Sequence, residues 1–586
     1  MKRRSTIAAA AVAAVAALVI SACSGSGSSG PGGGSSGNTE AAAFNAGQNS
    51  VANPSSSKGG TLVFDDSSTP DSFDPGNTYY AWVLNFDRLF AMPMFTYKSC
   101  PGSCGLTLVP DLATDLGTTT DKGLTWTFHI QSAIKYENGQ TVTAADVKYA
   151  IERTYDRSVL ANGPNYYQAL LTDPTYPGPY KDKGGNLTAI DVPDSTTLVF
   201  HLKAPFADFP YVLAFPSSAP VPQSADTAAH YQLHPLSTGP YKFQSYQLNK
   251  QLTLVPNPEW SPATDPNAKQ LASKIIVNLN VNQADIDSRL LAGDIDVDAA
   301  GSGVQAAAQV RILANPALKA QADNPVNGFG DFAYIDTKVA PLTNLHCREA
   351  IEYAVNKVET QTAYGGPVAG GQIASTVDPP NIIGYKSFDD YNALSQPNGD
   401  VTAAKQQLQL CGQPNGFSTS LAYRSDRAKE TAAATAIQAS LALVGIKVTL
   451  KGFPSGPYYT DFAGVPSYVH SHDLGIAMGG WGADWPNGFG FLDELANGNA
   501  IVSTGNVNIE ELSDPVINNL FAKSATVTGA ARTAIWSQVD EQLMKDAGIL
   551  PLIYAKALLY RPPNLTNVYV QAYYGMYDYA VLGVKS

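Results

Sequence analysis

Two rhythms of apolar and polar positions run along the chain, and together they outline a mixed fold. Residues 61–64 form a short apolar run that reads as a strand, followed by a turn from Asp71 to Pro75. Leu124, Trp126, Phe128 and Ile130 alternate with polar neighbours, the period of two expected of a half-buried strand. A turn at 137–140 precedes Thr143, which has an acidic residue, Asp146, three positions on. That spacing lets the hydroxyl and the carboxylate cap each other's backbone N–H groups at a helix start, with Val147, Ala150 and Ile151 facing inward. Strand signals recur at 197–202, 242–246, 252–255 and 275–279, the last leading into a helix near 285–291. Helical spacing returns at 347–355, 403–410 and 432–444. Gly445 ends the last of these and a strand follows at once at 446–450, the helix–glycine–strand order of an α/β crossover. No fixed-period repeat is present. The fold class expected is α/β, with mixed sheets and more than one lobe.

The first residues follow another pattern. Lys2, Arg3 and Arg4 precede an apolar run from Ile7 to Ile20, and small residues then lead to Cys23. The run is too short to cross a hydrocarbon core of about 30 Å, so residues 1–22 read as a signal peptide. Val19-Ile20-Ser21-Ala22-Cys23 resembles the bacterial lipobox, which implies a lipid on Cys23. Arg3-Arg4 hints at twin-arginine export, but the hydrophobic follow-on of that signal is missing. Residues 23–59 are rich in Gly, Ser, Pro and Asn and read as a flexible tether with a reach of about 30 Å.

Composition narrows the class of partner. Only 15% of the 586 residues are charged while 44% are hydrophobic, so the chain can bury a large core and is not disordered. The net charge of -13 disfavours nucleic acid, which needs clustered Lys and Arg, and loss of the basic leader makes the chain more acidic still. The 30 tyrosines suit either polar packing or a wet binding surface. Five cysteines suit export, one for lipid and four for pairing. Cys100 and Cys104 lie in a turn-rich stretch suited to a local disulfide. Cys347 and Cys411 then remain to pair with each other, one of three possible connectivities. A zinc half-site at Cys100 and Cys104 is the competing reading, without a second half in the sequence.

From Gly60 to the C-terminus the chain resembles the family 5 extracellular solute-binding proteins of bacterial ABC importers, the oligopeptide, dipeptide and nickel type. Five blocks in order carry the likeness: 123–149 around Trp126, Gly139 and Asp146; Thr238-Gly239-Pro240-Tyr241 with Asn257-Pro258-Glu259-Trp260; Leu291 to Val297; Arg348 to Lys357; and Trp481-Gly482-Ala483-Asp484-Trp485-Pro486. The chain departs from the family in the run after Asp484, and in Tyr136-Glu137 where Phe-His is more usual. The resemblance implies a two-lobed periplasmic-binding-protein fold of type II with the ligand cleft between lobes. By motif, lobe I takes 60–97, 236–325 and 550–586, an inserted subdomain takes 98–235, and lobe II takes 326–549. It also implies a monomer on the extracytoplasmic face of the cell membrane, held there only by its lipid. Such a protein hands a peptide or peptide-like solute to ABC permease subunits, with no catalysis and no cofactor.

Carried over residue by residue, the likeness makes Asp484 the counterion of a peptide α-ammonium, since a buried ammonium needs a nearby opposite charge. Trp481 and Trp485 flank it as candidate walls. Tyr79, Tyr80 and Trp82 are candidate stacking residues from the first lobe, and Phe329 is a candidate at the entry to the second.

Other motifs fail on inspection. Asp294, Asp296 and Asp298 mimic a calcium loop, but Ala299 and Gln305 stand where a glycine and a glutamate are required. His470 and His472 could be half a metal site, but the sequence shows no third ligand cluster, and no metal is expected. A serine-hydrolase elbow, a Walker loop and a dinucleotide fingerprint are all absent. A non-peptide solute in the same fold and a tethered cell-wall hydrolase stand as the rival readings.

Overall fold

The computed structural model describes residues 43–182 and 186–585. The leader, Cys23 and the first part of the expected tether lie outside them. Residues 61–65, 241–256 and 274–298 build a five-stranded mixed sheet in which Thr61–Asp65 pairs in parallel with Lys274–Asn278. Residues 118–129 and 190–201 build a four-stranded antiparallel sheet. Its Phe128, Leu198 and Phe200 share one continuous core with Phe64, Leu254 and Ile275 of the first sheet.

The third sheet has six strands and forms the body of the second lobe. Val326–Ile335 lies at its centre, between Ile476–Gly482 and Ile549–Lys556. Alternate residues of that strand face opposite ways, as the pleat requires. Phe332 and Tyr334 enter one apolar core, and Ala333 and Ile335 the other. Apolar cores lie against both faces, so the strand's second half, Phe332 to Ile335, is apolar without a break.

Local signals and structure agree where the controlling contacts are local. The helix Ala144–Arg153 begins with the reciprocal Thr143–Asp146 box. Ala428–Ala442 leads through Gly445, at φ 88°, into Lys447–Phe453. Cys100 is bonded to Cys104 within its turn-rich stretch, while Cys347 is bonded at long range to Cys411.

Two expectations need correction. The tether does not extend to residue 59. Asn45 N donates to Ala322 O (2.9 Å), Gly47 N to Asp323 Oδ1 (2.8 Å), and Ala52 pairs with Val568. Phe44 lies under the Lys319 ammonium, so a Gly/Ser-rich composition hid one apolar anchor. Second, Ile549–Lys556 belongs to the six-stranded sheet, not with the rest of the C-terminal segment. The chain leaves that lobe only after Lys556. Two strands therefore cross between the lobes side by side, with Ala322 opposite Tyr560 and Val326 opposite Lys556. Asn324 ties the crossing, donating to Ala557 O (3.1 Å) and Val368 O (2.9 Å).

Candidate functional site

The strand Ile476–Gly482 ends at the lobe boundary, and its glycines make room there. A Cβ on Gly482 would lie 2.6 Å from the Phe329 ring, so only glycine lets that ring cross the strand end. Five residues later Asn487 caps the helix Gly488–Ala496, its side chain accepting from Gly490 N (3.0 Å). Trp481 to Pro486 is thus a short connection fixed at both ends. It lies at the carboxyl edge of a strand, where open α/β sheets place their ligands.

A cavity of about 280 Å³ opens against this connection. Trp481, Asp484 and Phe329 line it from the second lobe, Tyr79, Leu84 and Phe215 from the first, and Tyr573 and Tyr574 from the C-terminal segment. Asp484 is half-buried at its wall. The hydroxyls of Tyr79 and Tyr166 donate to its two carboxylate oxygens from across the cleft. Tyr573 donates to its backbone carbonyl (2.8 Å). Burial pushes the Asp484 carboxyl above the usual carboxylate range, and the hydrogen bonds from Tyr166 and Tyr79 oppose that rise. Among the described residues no cationic side chain pairs with it.

Two further polar groups in the cavity wall lack protein partners. The Trp481 indole N–H is a buried donor without an acceptor, and Asn381 Oδ1 is a buried acceptor without a donor. The cavity therefore presents one carboxylate within aromatic walls, and one unpaired donor and one unpaired acceptor are buried in the residues behind it.

The residues singled out from sequence divide clearly. Asp484, Trp481, Tyr79 and Phe329 meet at the cavity. Tyr80, 51% exposed, precedes the helix Ala81–Asp87 and does not line it. Trp82 is buried against Phe73 and Phe86 in the first lobe's core. Trp485, although it belongs to the second lobe's chain segment, is also buried in the first lobe, where it stacks on Tyr211 and packs edge-on to Tyr166 and Phe206. Its Nε1 donates to Asp208 (3.0 Å), which also pairs with Arg532. Sequence reasoning missed Tyr166, Phe215, Tyr573 and Tyr574. The doubled tyrosines at 166–167 and 573–574 were the only signal for three of them, and Phe215 had none.

A second cavity, of about 470 Å³, begins at Asp331, two residues along the same strand from Phe329. Arg424, Arg427, Lys429 and Lys556 line it with Glu430. Arg424 is taken up by Glu430, its Nε donating at 2.7 Å.

The comparisons agree with this architecture. A curated relative, the probable D,D-dipeptide-binding periplasmic protein DdpA of Escherichia coli (strain K12), is 27% identical over 512 residues, 84% of this chain and 88% of its own length. The glutathione-binding protein GsiB of Escherichia coli O6:K15:H31 is 23% identical over 467 residues, 77% of this chain and 82% of its own. A solved structure titled clavulanic acid biosynthesis oligopeptide binding protein 2 superposes with a TM-score of 0.88 at 38% identity. It covers 93% of this chain and 99% of its own. The family model for the middle region of bacterial extracellular solute-binding proteins, family 5, matches residues 107–502. This chain belongs to that family of extracellular solute-binding proteins.

Proposed function

We propose that the protein is a lipid-anchored receptor that captures a peptide between its lobes and delivers it to an ABC import permease, without turning it over. One observation carries the reading: Asp484 places a carboxylate, held only by neutral hydroxyls, inside an aromatic cavity between the lobes. A peptide α-ammonium supplies the charge that such a group lacks. The free Trp481 donor and Asn381 acceptor suit a peptide carbonyl and amide, which are the same whatever the side chains. The second cavity, with Arg427, Lys429 and Lys556, suits the carboxylate end of a longer ligand. The names of the relatives, which bind a dipeptide, glutathione and oligopeptides, support the same ligand class.

The test is thermal denaturation with a panel of short peptides, each free or acetylated at its N-terminus. A bound ligand stabilises by about 2.7 kcal/mol at a hundredfold excess over Kd. Free peptides should raise the melting temperature, and acetylated ones, or free ones with Asp484→Asn, should not. Equal shifts from blocked and free peptides would remove Asp484 from this role. Peptide recovered intact after long incubation is expected, whereas cleavage would favour a hydrolase. Anchoring is tested by Cys23→Ser, which should release the protein from the membrane fraction into the medium.

A further inference from the structure

Away from the cleft, the second lobe brings together three side chains that the sequence keeps far apart. Asp336 follows the central strand Val326–Ile335, His470 lies on the helix Pro466–Ser471, and Glu511 lies in the loop before Pro515. One ligand atom from each lies within 4.8 Å of the other two. We infer that Asp336, His470 and Glu511 form a binding site for a divalent cation of the zinc type, with water completing its shell.

The chemistry of the donor set points there. Asp336 is 2% exposed and its Oδ2 meets no donor, while its Oδ1 accepts from Lys338 N (2.6 Å) and Val339 N (2.9 Å). Those two bonds fix the carboxylate plane and leave the second oxygen available, the outer-shell support that metal ligands require. Glu511, 8% exposed, is held against the same turn. The Thr337 hydroxyl donates to Glu511 O (3.0 Å), and Thr337 N donates to Glu510 O (2.8 Å).

Glu511 Oε1 lies 2.7 Å from His470 Nε2, yet without the alignment of a hydrogen bond. A tetrahedral ion with ligands at about 2.0–2.1 Å separates them by about 3.4 Å, between that contact and the outer limit of the cluster. Two buried carboxylates facing each other repel, and one imidazolium balances only one of them. A divalent ion balances both. One imidazole and two carboxylates suit zinc better than calcium, which prefers six to eight oxygens. His470, whose side chain is 44% exposed, leaves a path for the ion. Bound there, the ion would fasten the Glu511 loop to the end of the sheet's central strand.

The test is calorimetric titration of chelator-stripped, full-length protein with zinc chloride. Wild type and His472→Ala, which alters the neighbouring histidine outside the cluster, should each take up one ion. His470→Ala and Glu511→Gln should bind at least about tenfold more weakly. His470→Ala also removes the imidazole beside Glu511, so each protein is compared with its own metal-free form. Zinc should then raise the wild-type melting temperature and leave the variant's unchanged. No stoichiometric uptake by wild type, or undiminished uptake by His470→Ala, would overturn the site.

Discussion

Arg532→Ala should weaken ligand capture without touching the cavity. Arg532, on the helix Gly529–Asp546 of the second lobe, pairs with Asp208 in the first. Its side chain is 13% exposed and that of Asp208 only 1%, so solvent screens the pair little. Asp208 keeps one other donor from the second lobe, the Trp485 indole at 3.0 Å. A hydrogen bond to a charged group contributes about 1.5–3 kcal/mol. In an opened molecule both charges regain water, so the loss of this pair falls on the closed form. Taking about 2 kcal/mol, the closed-to-open ratio falls roughly thirtyfold, at 1.4 kcal/mol for each factor of ten. Apparent affinity falls with the closed fraction, so a molecule mostly open without ligand shows the full effect in Kd. Arg532 also bonds Ser524 O (3.1 Å) and lies over Trp536, so its removal disturbs the second lobe as well. Asp208→Asn perturbs the same contact from the other side, and only the interlobe pair is shared by both variants. Titration calorimetry with a free-N-terminus peptide should show weaker binding in both. Small-angle scattering should show a larger radius of gyration at subsaturating peptide. A Kd within twofold of wild type in both variants, with unchanged scattering, would refute the interlobe role.

Asp378 and Asp540 give a pH prediction. Both are buried, and neither Asp378 oxygen nor Asp540 Oδ2 meets a donor. Burial and then the charge of Asp540 push the Asp378 carboxyl well up, and burial pushes Asp540 up to about 7. The folded pair holds a proton that the unfolded chain releases near pH 4, so its contribution is full below that value and is lost as pH rises toward 7. Melting temperature should therefore fall between pH 5 and pH 8, and Asp378→Asn should flatten that fall; parallel profiles would remove the pair as its source. Gly239→Ala should destabilise by about 1–3 kcal/mol in denaturant titration. The new Cβ would lie 2.8 Å from Phe90 N, Cα and C, which are backbone atoms that cannot step aside. Gly456→Ala, with no atom within 4 Å of the new Cβ, should be close to neutral.

What the sequence made legible was set by how far apart the deciding atoms are along the chain. The Thr143–Asp146 cap and the Gly445 stop are decided within a few residues, and both stand where the pattern puts them. The sheet that Ile549–Lys556 joins is decided by a strand more than two hundred residues earlier, and an apolar run alone does not name its partner. The aromatic cluster at 79–82 shows the same limit at close range. Tyr79 reaches Asp484, Tyr80 faces solvent and Trp82 enters the core. The backbone turns into a helix at Ala81, so neighbouring side chains part company there.

The Trp481–Trp485 connection carries this furthest. Its two tryptophans looked equivalent around one carboxylate, yet Trp481 stays at the cavity wall while Trp485 crosses into the first lobe's core. Asp484 stands between them and bonds two hydroxyls of that same lobe. Five residues fixed by a strand at one end and a capped helix at the other therefore hold both the carboxylate that the proposed function assigns to a ligand and a contact that keeps the lobes together. A strand-to-helix connection this short moves as one body. Drawing Asp484 out of the cleft must also draw Trp485 out of its aromatic seat and away from Asp208. Closure and capture are then coupled by chain connectivity itself, with no separate relay between them.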